Sequence, residues 1–316
     1  MLPLSTPNAD RALDLKSSRA YSRSLIRSYS KSFYIASLLL PRGLRQDVHS
    51  LYAFCRTTDN IVDAPRSRTR EELQRELEIW REELQTAYRT GESQHPVIQG
   101  FVHVAQASAI ELELPLDLIR GVEMDLLIDR YETFEDLYRF CYRVASVVGL
   151  MMTKVIGTND DAAFRHAEQL GIGMQLANIV RDVKEDWQLR QKIYLPQQDL
   201  RVHGVAESAI AEGVMSPPMR ALIKFEVDRA HSYFDGALEG IPMLKREGQF
   251  AIDAAATLYR GILGEIERNS YDVFARRPVV STSRKLGVLI DSYVRRTLLH
   301  RRAISAPRTH GRGRAL

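Results

Sequence analysis

The sequence predicts an all-α protein, a single-domain helical bundle around a central cavity. Three observations carry that expectation. Apolar residues recur at helical spacing through most of the 316 residues. Alternating strand-like runs bounded by turn dipeptides are scarce. No low-complexity linker or short-period repeat separates two cores. The length exceeds that of a usual domain, yet one all-helical domain accommodates it. A hydrophobic fraction of 45% and a charged fraction of 27% are ordinary globular values, so a sizeable core is expected.

Taken in order, the chain begins with MLPLSTPNADRALDLKSS, which lacks the basic start and continuous apolar run of a secretory signal. Residues 1–16 are expected to be a flexible N-terminus, 17–303 the helical domain, and 304–316 a basic flexible tail. LYAFCRTTDNIVD at 51–63 reads as buried helix carrying a polar line. TREELQRELEIWREELQTAYRTG at 69–91 opens on a capping threonine, repeats apolar positions at helical spacing, and ends near Gly91. The same period runs through TFEDLYRFCYRVASVVGLMM, DDAAFRHAEQLGIGMQLANIVRDVKEDW, SPPMRALIKFEVDRAHSYFDGALEGI and QFAIDAAATLYRGILGEIERN. Pro41-Arg42-Gly43, the stretch from Gly91 to Pro96, Pro115, Pro196, Pro217-Pro218 and Pro278 punctuate these helices. The longest apolar runs, such as VASVVGLMM, fall short of the roughly 20 residues that span a bilayer. A cytoplasmic protein is expected.

The net charge of +4 conceals an asymmetry. Residues 292–316 hold seven arginines and no acidic residue or lysine, which leaves 4 − 7 = −3 for residues 1–291. The basic tail suits attraction to anionic lipid headgroups at the inner face of a membrane. No aromatic residue interleaves with its arginines after Tyr293, so no nucleic-acid partner is expected. Cys55 and Cys141 sit in helical patterns without paired spacing and read as reduced, packed thiols.

Two stretches share an acidic spacing. At about 100° per residue, Tyr52, Arg56, Asp59 and Asp63 fall within about 60° of one another, and the same arithmetic groups Gln175, Asn178, Asp182 and Asp186. Each polar line crosses an otherwise apolar helix. If the two helices face each other across a cavity, four carboxylates converge without matching lysines, and such a cluster is costly unless cations occupy it. Carboxylate and amide oxygens without His or thiolate favour Mg²⁺, with Mn²⁺ able to substitute, and that ion is normally completed by substrate phosphates. The expected ligand is therefore a magnesium-bridged diphosphate. Lys31, Arg56, Arg181, Arg276 and Arg277 are candidates to hold diphosphate oxygens that the metals do not reach. Nucleotide-binding glycine loops and nucleophile triads are absent, so the chemistry must come from metal and pocket.

These residues resemble the squalene and phytoene synthase family, over roughly residues 21–286 and through five motifs in order. SYSKSFYIASLLLP resembles its N-terminal diphosphate-side segment, LYAFCRTTDNIVD its first aspartate-rich motif, and GVEMDLLIDRYETFEDLYRFCYRVASVVG its middle signature. QLANIVRDVKEDWQLRQKIYLP resembles the second aspartate-rich motif, and YRGILGEIERNSYDVFARRPVVSTSRKL the C-terminal block of bacterial carotenoid members. The resemblance implies an isoprenoid-synthase-type bundle with Asp59 and Asp63 binding metal from one wall and Asn178, Asp182 and Asp186 from the other. It places Tyr52, Arg56, Tyr142 and Gln175 along the cleft and Ser30, Lys31, Ser32 and Phe33 on the flap side. Tyr259 and one of Arg276 or Arg277 match C-terminal positions at the diphosphate. Asn60 departs from the pattern, where many members carry a second Asp.

The implied reaction is a magnesium-dependent head-to-head condensation of two geranylgeranyl diphosphates through a cyclopropylcarbinyl (prephytoene) diphosphate to phytoene, in carotenoid biosynthesis. Aromatic faces at Tyr52, Tyr142 and Tyr259 suit the cationic stages. The C-terminal block resembles carotenoid enzymes that use no reductant, so no nicotinamide cofactor is expected. Ser37, one turn beyond Phe33 on the same face, is small and leaves room for a C20 rather than a C15 tail. The alternatives are a C15-using relative making dehydrosqualene, presqualene diphosphate or squalene, and a non-catalytic family member.

Overall fold

The structure is a computed structural model that describes residues 15–29, 34, 37–38, 40–63, 68–278 and 287. Ser30, Lys31, Ser32 and Phe33 lie outside the described residues, as do the tail boundary at 304 and the seven tail arginines. The described chain is helical, with two isolated bridges, Arg130 to Ile193 and Thr158 to Leu244, in place of a sheet.

Helix α1 (Leu15–Tyr29) packs against α2 (Arg42–Val62), which carries the first acidic line. Next, α3 (Arg70–Thr90) starts in a reciprocal capping box between Thr69 and Glu72 and stops at Gly91, whose φ of 80° only glycine adopts without strain. Helix α4 (Pro96–Ala107) is apolar on nearly every side and fills the centre of its half, while α5 (Glu113–Leu127) takes Pro115 in its first turn rather than breaking there.

The segment read as one helix from Phe134 is three pieces: α6 (Phe134–Cys141), a π-helical turn (Tyr142–Ser146), and α7 (Val147–Ile156). A capping box of Thr133 and Asp136 fixes its start. The π-turn inserts a residue, shown by the Val147 N–H reaching back to the Tyr142 carbonyl. Two glycines hold it in place. A Cβ on Gly171 would lie 2.5 Å from the backbone N and Cα of Ser146, and one on Gly121 would lie 2.8 Å from side-chain carbons of Arg143 and Val144.

Helix α8 (Ala163–Arg190) is the longest described and carries the second acidic line. Short helices α9 (Gln197–Val202) and α10 (Glu207–Glu212) lead to α11 (Pro217–Leu238) and α12 (Arg246–Arg268), which pack against α8. The side chain of Ser216 caps α11, and Pro217-Pro218 occupies its first turn.

Two cores result. One gathers Leu51, Phe54, Cys55, Leu84, Phe101 and Met151, with the Phe54 and Phe101 rings stacked at 4.1 Å between centroids. The other gathers Phe140, Cys141, Leu176, Val180, Leu222 and Phe234. Tyr142 packs against both. Both cysteines are free and buried, and burial pushes both thiols above their usual range.

Candidate active site

A cavity of about 170 Å³ lies where the first acidic line meets Gln175 of the second, lined by Arg56, Asp59, Asp63, Asp125, Gln175 and Tyr194 among polar residues, with Val122, Phe140 and Val144 beside them; Asn178, Asp182 and Asp186 do not line it. Helix α2 brings Asp59 and Asp63 to it because its opposite face, Leu51, Phe54 and Thr58, is buried against α3 and α4. Helix α8 brings Gln175, because Leu176, Val180 and Val183 are committed to the second core. Further along α8, Asn178 donates weakly to the Gln175 side-chain oxygen at 3.4 Å, leaving its own carbonyl oxygen for another partner. Asp186 lines a smaller pocket of about 10 Å³ beside Tyr194 and Lys192.

Among the described residues arginines, not lysines, pair with the carboxylates of the two lines. Arg190, in the last turn of α8, bonds Asp63 through one nitrogen and Asp125 at 2.9 Å through another. Arg56 stands 3.5 Å from Asp63, with its guanidinium 5.1 Å from the Tyr29 ring centre. Arg181 donates to Asp182 at 2.8 Å, and Arg277 reaches the same carboxylate at 2.9 Å and Glu185 at 3.1 Å. Arg276 turns away and donates to Asn269 at 2.7 Å. The geometry thus separates the two C-terminal arginines that the sequence left equivalent. Tyr259 lies close enough to Arg181 and Asp182 to feel both charges, although burial dominates in raising its hydroxyl pKa. Tyr52 is half-buried one turn before Arg56, and Ser37 is buried with its hydroxyl 2.7 Å from His49 Nε2.

Negative charge remains in excess at two positions. Burial, reinforced by Asp63 and Asp125 against the pull of Arg56, pushes Asp59 up to about 7. Burial, reinforced by Asp182, does the same for Asp186. All the donors are carboxylate or amide oxygens, the chemistry Mg²⁺ prefers. Among the described residues no three His, Cys, Asp or Glu side chains cluster closely enough to grip an ion unaided. A Mg²⁺ ion held by these oxygens would take its remaining ligands from substrate oxygens and water.

Asp125, Arg190, Lys192 and Tyr194 escaped the spacing argument. Asp125 accepts from Lys192 at 3.1 Å and from the Tyr194 hydroxyl, besides Arg190. What assembles them is the end of α8. Gln191 takes a left-handed φ of 55°, the Lys192 N–H closes onto the Asp186 carbonyl, and the chain reverses so that Ile193 donates to Asp129 at 3.2 Å. A lone carboxylate on the apolar face of GVEMDLL was the available signal.

Residues 26–284 match the family model described as squalene/phytoene synthase. The chain is 38% identical, over 95% of its length and 100% of the relative's, to the 15-cis-phytoene synthase of Synechococcus elongatus, and 36% identical to that of Synechocystis, over 94% of the chain and 91% of the relative. Among solved structures, a dehydrosqualene synthase in complex with ligand superposes with a TM-score of 0.81 at 30% identity, covering 90% of this chain and 98% of that one. A squalene synthase from Alicyclobacillus acidocaldarius superposes at 0.75 and 28%, covering 82% and 96%. With the family model spanning most of the chain and the fold shared, this protein belongs to the squalene/phytoene synthase family.

Proposed function

We propose that the protein is a magnesium-dependent phytoene synthase that joins two geranylgeranyl diphosphates head to head. The observation that carries this reading is a cavity where α2, α5 and α8 meet, lined by Asp59, Asp63, Asp125 and Gln175 with Arg56 and Arg190 beside them, in a chain that matches phytoene synthases over nearly its full length. Bound magnesium would neutralise the diphosphate leaving group. Asp59, Asp63, Asn178, Asp182 and Asp186 would hold it. Arg56, Arg181 and Arg277 would take the diphosphate oxygens left over, as guanidinium forks suit them. Tyr52, Tyr142 and Tyr259 would face the developing cation, and the apolar walls would keep water from it. The cavity is smaller than the roughly 300–1,000 Å³ of usual ligand sites, so substrate entry would part Arg190 from Asp63.

The likeness to two 15-cis-phytoene synthases supports the C20 donor. The superposition on a dehydrosqualene synthase favours the second reading, a C15 donor. Incubating the purified protein with Mg²⁺ and each donor separately, then identifying the hydrocarbon, decides between them. Phytoene from the C20 donor is expected. Product from the C15 donor alone would remove the chain-length reading, and turnover of neither would remove the enzymatic one.

A further inference from the structure

A second charged surface, none of whose cations lines the acidic cavity, lies along α1. Helix α1 holds Lys16, Arg19, Arg23 and Arg27 and no acidic residue. At about 100° per residue these four fall within about 80° of one another, on the flank of the helix beside its buried Ser18, Ser22 and Ile26 face. Arg45 in α2 joins them, and the exposed Arg42 precedes it by three residues in the first turn of that helix. Arg23, Arg27 and Arg45 all act electrostatically on Tyr34, and Arg23 and Arg45 on His49, so the two helices present their cations together. The one carboxylate within this group, Asp47, is engaged by Arg19 at 3.1 Å, a contact that braces α1 against α2. Among the described residues, no carboxylate lies within ion-pair distance of Lys16, Arg23, Arg27, Arg42 or Arg45. Six cations face one acid on a chain whose first 291 residues are net negative.

From Lys16 to Arg27 the row extends about 16 Å at 1.5 Å per residue. That exceeds the reach of a single phosphate and matches several headgroups side by side. Leu38, 45% exposed and adjacent to the buried Ser37, provides an apolar foothold within the basic surface. Single-stranded nucleic acid fits less well, because it calls for aromatic stacking platforms. The exposed Tyr21 points about 160° away from Arg23 around α1, and the Tyr34 hydroxyl is occupied by Arg23 at 3.2 Å.

We propose that the α1 and α2 basic face is a docking surface for anionic lipid bilayers, built into the folded domain and independent of the arginine tail. Each cation near such a surface strengthens binding about fivefold, so a preformed row is sufficient for reversible, salt-sensitive attachment.

The test is vesicle sedimentation of the full chain, using phosphatidylglycerol mixed into phosphatidylcholine and phosphatidylcholine alone. Wild type and a chain with glutamine in place of all seven tail arginines, Arg295, Arg296, Arg301, Arg302, Arg308, Arg312 and Arg314, should both bind the anionic vesicles, release at high salt, and ignore the neutral ones. The triple variant K16E/R27E/R42E should lose at least 100-fold in binding, while R27K/R42K, which keeps charge, should retain it. Circular dichroism and thermal melting check that the variants stay folded, and K16Q/R27Q/R42Q replaces the charge reversal if that variant does not. Retained binding by the neutral or reversed variant, or binding that disappears with the tail arginines, would overturn the proposal. So would binding of an RNA oligomer by the wild type with no uptake by anionic vesicles.

Discussion

Asp125 meets Lys192, Arg190 and Tyr194 at once, and Lys192 is only 5% exposed. Replacing Asp125 with Asn leaves that ammonium without its counter-charge, so a loss of about 3 kcal/mol in stability is expected from urea unfolding. The same substitution should weaken turnover, since Arg190 then has only Asp63 to hold. Burial pushes the Tyr194 hydroxyl up, and Asp125 adds to it, so Tyr194 stays a donor across the working pH range. The two C-terminal arginines separate by geometry. Arg277→Ala should cut kcat/KM by about 10- to 100-fold, the worth of a charge-assisted contact, whereas Arg276→Ala should remain near wild type. Equal losses would place both at the diphosphate. At this scale the sequence was legible where a residue shares a helix face with its partners, as Asp59 does with Asp63. It was silent where partners meet across chain reversals, as Asp125 does with Lys192, because no spacing rule reaches from one helix to the turn after another.

The helices themselves were largely readable. Thr69, Glu72 and Gly91 bound α3 as capping chemistry dictates. The π-turn was not readable, since an inserted residue leaves the apolar period nearly intact and is fixed by packing on Gly121 and Gly171. Helix propensity alone would make Gly171→Ala stabilising by up to about 1 kcal/mol. The contact with Ser146 wins instead, because backbone atoms at 2.5 Å cannot rotate aside. A net destabilisation of about 1–3 kcal/mol is expected from thermal melting, with reduced turnover as Tyr142 shifts with the π-turn. A rise in melting temperature would show that the two segments can move apart freely.

Across the whole molecule, one buried charge network adds to the pH dependence that the raised Asp59 and Asp186 also produce. Arg229 lies between the rings of Phe134 and Phe225, 4.1 and 4.5 Å from their centres, and bonds both Asp199 and Glu226 at 2.8 Å. It thereby ties α6, α9 and α11 together. Burial outweighs the attraction of Arg229 and raises Glu226 from 4.5 to about 8. The folded protein then binds a proton that the unfolded chain has released, so stability is fully present below about 4.5 and falls as pH rises toward 8. Glu226→Gln cannot ionise and should flatten that decline in melting temperature between those limits. An unchanged slope would assign it to other groups. At this scale the single domain and its helical class were legible from periodicity, while the docking of two cores was not, since it depends on which helix faces meet. Each core contains one of the two cysteines, Cys55 in the first and Cys141 in the second. Their thiols therefore report separately on the two halves of the bundle. With Tyr142 wedged into both cores, the halves should open as one cooperative unit, and a thiol reagent should modify Cys55 and Cys141 at the same rate under native conditions. Unequal rates would reveal which half lets go first.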